Sequence, residues 1–101
     1  MTAYLAADPK LSIIVPVYNE EDGLQALFDR LYPALDTLAS KRQIAYEIVF
    51  INDGSKDRSA GILAKQVELR PDVTRAVLFQ NNFGQHMAII AGFEYARGDF
   101  I

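Results

Sequence analysis

The chain has no cysteine, a single histidine and no excess of positive charge. Without cysteine there are no disulfides, no thiol nucleophile and no cysteine-based zinc site. Ten Lys and Arg against thirteen Asp and Glu leave a net charge of −3, which provides no basic field for nucleic acid. No apolar run approaches the ~20 residues that a membrane span requires. Met1 to Asp8 lacks the basic-then-apolar pattern of a signal peptide. The glycine-rich phosphate motifs are also missing: there is no Gly-x-Gly-x-x-Gly and no Gly-Lys-Ser/Thr, so dinucleotide-fingerprint and P-loop readings fail. What remains is 101 residues, half of them apolar and 23% charged, the size and composition of one soluble globular domain.

Residues 1–10 read as a lead-in, and residues 11–101 as the domain proper. Leu11 to Val17 is a nearly all-apolar strand, as expected of one covered on both faces. A helix is expected from about Glu20, capped by Asn19, with Glu20, Glu21 and Asp22 in its first turn and Pro33 kinking it. Leu24, Leu27, Phe28, Leu31, Leu35 and Leu38 form its apolar stripe. Tyr46 to Ile51 is the second strand. Ser55 or Asp57 caps a second helix running to about Leu69, with Ala60, Leu63, Ala64 and Val67 inward. Arg75 to Phe79 is a third strand, and Asn81-Asn82-Phe83-Gly84 is a turn. A third helix, about Gln85 to Ala96, is apolar on several faces and should be well buried. Gly98 ends it as a left-handed cap, and Phe100-Ile101 opens a fourth strand. The β-α-β-α-β-α-β order predicts an α/β fold with a Rossmann-like parallel sheet and right-handed crossovers. A domain that closes by opening a strand reads as the N-terminal part of something longer.

In open parallel sheets the carboxyl ends of the strands share one edge, where ligands bind. The first two strands end at Tyr18-Asn19-Glu20 and Asn52-Asp53-Gly54-Ser55. These side chains suit a base and a ribose better than a bare phosphate. Asp53 can accept from a ring N–H such as N3 of uracil; alternatively it makes an Asp-Gly turn. Glu20 can accept from ribose or sugar hydroxyls, or complement a helix dipole. Tyr18 can pack against a base or sit at the core rim. His86 is best read as structural. Five acids (Glu20, Glu21, Asp22, Asp53 and Asp57) crowd the helix starts, so a diphosphate entering this crevice needs a divalent cation. The chain holds no complete set of metal ligands.

Three blocks, residues 14–21, 50–59 and 82–93 followed by Ala-Arg-Gly-Asp at 96–99, resemble family 2 glycosyltransferases. The third is most similar to the polyprenyl-phosphate sugar transferases, the dolichol- and undecaprenyl-phosphate enzymes. The resemblance implies the nucleotide-sugar-binding half of a glycosyltransferase A fold. It implies that Pro16, Tyr18 and Glu20 line the nucleotide pocket, that Asp53 holds the base with Ser55 beside it, and that the turn with Asn82, Gly84 and Gln85 lies near base or ribose. Asn52 stands where the family usually has an aspartate. The family's metal-binding Asp-x-Asp and its catalytic base fall after Ile101, so no catalytic residue is expected in this chain. Mg²⁺ or Mn²⁺ would serve the complete enzyme, with a UDP- or GDP-sugar as donor and a lipid phosphate as acceptor. The implied location is the cytoplasm, with the complete enzyme at the cytoplasmic face of a membrane. Two other readings compete: a non-catalytic flavodoxin-like binding module, and an interaction subunit forming a homo-oligomer through an unfinished sheet edge. Against the first, a phosphoacceptor aspartate ends the third strand and a lysine follows later, whereas Asp53 ends the second strand and no lysine follows Lys65.

Overall fold

The computed structural model describes residues 9–100. Its elements are β1 (Leu11–Val17), α1 (Leu24–Arg42), β2 (Tyr46–Asp53), α2 (Ser59–Leu69), β3 (Thr74–Phe79) and α3 (Gln85–Tyr95). The three strands are parallel, in the order β1-β2-β3. Phe100 bridges Leu11 on the other side of β1, where a fourth strand is expected; Ile101 and the lead-in residues 1–8 lie outside the described residues. A flavodoxin-like order would place β3 beside β1. Here β3 pairs with β2, so that alternative is set aside.

β2 is buried along its whole length, and its side chains alternate between two cores. On one face Ile48 and Phe50 pack against Leu24, Phe28, Tyr32 and Leu35 of α1 and Leu63 of α2. On the other, Val49 and Ile51 pack against Ala88 of α3. The two connections that advance from β1 to β3 thus lay their helices on one face. The connection that returns past β1 lays α3 on the opposite face, as single-handed crossovers require.

Several local expectations are corrected. α1 begins at Leu24, not Glu20; Glu20 to Asp22 form a preceding turn closed by the Gly23 and Leu24 N–H groups on the Glu20 carbonyl. Asn19 is not a cap but sits at φ +50°. In α2 the inward residues are Ser59, Leu63 and Gln66, while Ala64 is exposed. Gly98 is not left-handed; Ala96 ends α3 in extended conformation. Nor is α3 well buried: Met87, Ile90, Phe93 and Tyr95 are each about half exposed, because the sheet offers α3 only one narrow contact row.

Candidate functional site at the strand ends

The register sets Val17 beside Asn52 and Asp53 beside Phe79, so the three strands end together. A cavity of about 300 Å³ opens there, lined by Pro16, Val17, Tyr18, Glu20, Asp53, Asn82, Gly84 and Gln85. Seven of the eight residues singled out above are therefore neighbours around one space. Ser55 does not line it. Val17, the addition, is a buried strand residue between two lining ones, and its alternation alone does not show that it borders a cavity. His86, on the first turn of α3, is solvent-exposed and is not part of the lining.

Asp53 is the hinge of the site. It is 3% exposed, yet carries a carboxylate whose oxygens accept from three donors on one turn. The Phe83 N–H donates to Oδ1 at 2.7 Å, the Gly84 N–H to Oδ2 at 2.9 Å, and Asn82 Nδ2 to Oδ2 at 3.2 Å. Both readings of Asp53 thus meet in one residue: it organises a turn, though one thirty residues away, and it faces the cavity. Two glycines make the close approach possible. Gly54 has φ +71°, and a side chain there would land on the backbone of Asn81 and Asn82; Gly84 has φ +95°, where only glycine is unstrained.

The loops after β1 and β2 are stitched together below the cavity. Ser55 Oγ donates to Asn52 Oδ1 and accepts the Asn19 N–H at 2.9 Å. The Lys56 N–H donates to Asn19 Oδ1 at 2.8 Å, and the Glu20 N–H to Ser59 Oγ at 2.9 Å. Asp57 accepts from the Glu21 and Ser59 N–H groups at 3.1 and 2.9 Å. Desolvation pushes the Asp57 carboxyl up, but its hydrogen bonds to Ser59 and Glu21 outweigh that and hold it below the usual carboxylate range. Asn52 supplies the acceptor an aspartate would supply, without burying a second negative charge beside Asp53. The stitching holds Asn19 in its left-handed conformation and aims Tyr18 and Glu20 at the cavity.

The lining presents carboxylates at Glu20 and Asp53 and amides at Asn82 and Gln85, with no lysine or arginine. It suits a neutral, donor-rich group rather than an anion. Among the described residues no group of three or more His, Asp or Glu side chains could hold a metal ion.

A parallel α/β sheet with helices on both faces and a polar cavity at its strand ends defines a Rossmann-like architecture. Residues 12–101 match the sequence model of Glycosyl transferase family 2, and the chain belongs to that family. It is 43% identical over 91 residues to an undecaprenyl-phosphate 4-deoxy-4-formamido-L-arabinose transferase of Edwardsiella ictaluri, covering 90% of this chain and 27% of that protein. The enzyme of the same name from Klebsiella pneumoniae subsp. pneumoniae is 45% identical over 92 residues, covering 91% and 27%. The chain thus spans about a quarter of the length of these relatives. Among solved structures, a mannosyltransferase from Pyrobaculum calidifontis in complex with GDP-Man and Mn²⁺ superposes with a TM-score of 0.60 at 23% identity, over 90% of this chain and 25% of that one. That likeness is one of fold, and the fold is the N-terminal half of a glycosyltransferase A fold.

Proposed function

We propose that this chain forms the donor-nucleotide half of an inverting glycosyltransferase that passes a sugar from a UDP- or GDP-sugar to a polyprenyl phosphate. The observation that carries the proposal is the cavity at the strand ends, rich in hydrogen-bond acceptors and without a cationic side chain. A nucleoside offers the donors such a lining lacks, from its ring N–H groups and ribose hydroxyls. The polyprenyl acceptor and the nucleotide-sugar donor are supported by the names of the relatives and of the structural neighbour.

On this reading the base packs against Pro16, Val17 and the Tyr18 ring, and Glu20 accepts from the ribose hydroxyls. Asp53 holds the 82–84 turn as one wall and has acceptor capacity left for a ring N–H, since a carboxylate offers about four lone-pair sites. The acceptor phosphate oxygen forms its bond to the anomeric carbon as the bond to the nucleoside diphosphate breaks. A divalent cation, when bound, stabilises that leaving diphosphate. The residues that line the cavity are assigned to the base and ribose of the donor. The complete enzyme works where its lipid acceptor lies, at the cytoplasmic face of a membrane; no helix among the described residues is long and apolar enough to cross one.

Calorimetric titration of the chain with UDP and with GDP, each with Mg²⁺, tests the reading. One nucleotide should bind, and Glu20→Ala should weaken it about tenfold, the loss of one to two hydrogen bonds to a charged acceptor. Lys65→Ala, on the exposed surface of α2 and outside the lining, should leave the affinity unchanged. A folded chain that takes up neither nucleotide at millimolar concentration would overturn the proposal.

A further inference from the structure

At the end of the sheet away from the cavity lies a charged cluster that the nucleotide reading does not use. Glu47, near the start of β2, is 1% exposed. A carboxylate so deeply placed is tolerated only if its oxygens are satisfied. Ser12 Oγ donates to Oε2 at 2.6 Å, and so does the Arg97 backbone N–H, also at 2.6 Å. Arg97 Nε donates to Oε1 at 3.2 Å, and Arg75 Nη1 reaches Oε1 at 3.4 Å. Burial alone would raise the Glu47 carboxyl, but the Arg97 N–H, the Ser12 hydroxyl and the Arg97 guanidinium more than offset it and hold the group below the usual carboxylate range.

The partners of Glu47 share a place in the chain: they tie the segment that leaves α3 to the first strand. Ser12 Oγ, while donating to Glu47, accepts the Gly98 N–H at 2.8 Å. Two residues further on, the Phe100 N–H donates to the Lys10 carbonyl at 2.9 Å, and the Ser12 N–H donates to the Phe100 carbonyl at 2.8 Å. Gly98 lies so close to β1 that a Cβ there would sit 2.6 Å from Ser12 Oγ and 2.8 Å from Ser12 N. Gly92 is packed as tightly on the Ile14 side chain. Exposed ion pairs contribute little, but these hydrogen bonds converge on a fully buried acceptor, where each lost donor leaves an uncompensated charge.

We propose that Glu47 is a positioning residue: from inside the sheet it fixes the chain leaving α3 against β1, and so sets the pairing of Phe100 with Leu11. Phe100 bridges Leu11 in parallel, on the side of β1 away from β2. The inference concerns strand placement and stands whether or not the cavity takes a nucleotide.

Amide hydrogen exchange on the full chain tests it, because exchange separates local opening from global unfolding. In the wild type the Ser12, Arg97 and Phe100 amides should be protected. In Glu47→Gln, which keeps shape but loses charge and one acceptor oxygen, those three should exchange about tenfold faster or more, with Val49 and Ile51 changing by less than about threefold. Gly98→Ala leaves Glu47 intact and pushes the segment off Ser12; it should give the same local pattern, and it keeps the test open if Glu47→Gln does not fold. Unprotected Ser12 and Phe100 amides in the wild type would overturn the proposal. So would protection that survives Glu47→Gln and Gly98→Ala, or that falls by one common factor throughout β2, the mark of a role in overall stability alone.

Discussion

The buried Asp53 carboxylate gathers the Phe83 and Gly84 N–H groups and Asn82 Nδ2 onto the end of β2. An acid at the end of an apolar run points to the ligand edge of a parallel sheet, and that much was legible. Its partners were not: Phe83 and Gly84 lie 30 and 31 residues away, and no local pattern announces a hydrogen bond of that span. Ser55 illustrates the converse. It sits in the motif and beside the cavity, but its hydroxyl joins Asn52 to Asn19 and does not line the space. The geometry of Asp53 makes a definite prediction. In Asp53→Asn one of the two backbone N–H groups of the turn faces an amide NH₂ in place of an oxygen. The variant should lose about 2 kcal/mol in urea unfolding, the loss of a hydrogen bond to a charged acceptor plus an unpaired donor. Unchanged stability would mean that the turn does not depend on the carboxylate.

At the scale of elements, type and order were legible because the periodicities are clean. β1 is a continuous apolar run, and the leucine stripe of α1 has helical spacing. The errors fall at boundaries, where tertiary partners decide. Three acids after Asn19 look like the first turn of a helix, yet the backbone there is drawn away by Ser55, Ser59 and Asp57, residues of the next loop. α1 is held to the rest by Arg70, which pairs with Asp36 and Asp72 and lies 5.0 Å over the Tyr32 ring. Hydrogen bonding to Arg70 keeps the Asp36 carboxyl below its ordinary value of 3.8. The folded pKa is depressed relative to the unfolded one, so this contribution is present above about pH 4 and is lost as pH falls through the folded value. Stability measured by urea unfolding should therefore decline below about pH 4, and Asp36→Asn should reduce that decline. The half-exposed pair makes the effect modest. An acid profile identical in wild type and variant would show that Asp36 carries none of it.

For the molecule as a whole, the parallel sheet, the helices on both faces and the strand-end crevice all follow from the alternation of elements and the handedness of their connections. Burial at the outer surface did not follow. The apolar composition of α3 suggested a covered helix, whereas Met87, Ile90 and Phe93 face outward, at spacings that put them on neighbouring turns of one side. Such a patch favours association. The chain should sediment as a self-associating species, and Ile90→Lys should shift it toward monomer; a monodisperse wild-type monomer would contradict this.

The nucleotide of a sugar donor is proposed to sit in the cavity between Pro16 and Gln85. A ¹H–¹⁵N correlation spectrum of the chain, titrated with UDP and with GDP in the presence and absence of Mg²⁺, tests it most directly. Dispersed peaks are expected, with shifts concentrated at Val17, Tyr18, Glu20, Asp53, Asn82, Gly84 and Gln85 for one nucleotide. Dispersed peaks that do not move, or that move only at residues outside the cavity lining, would contradict it.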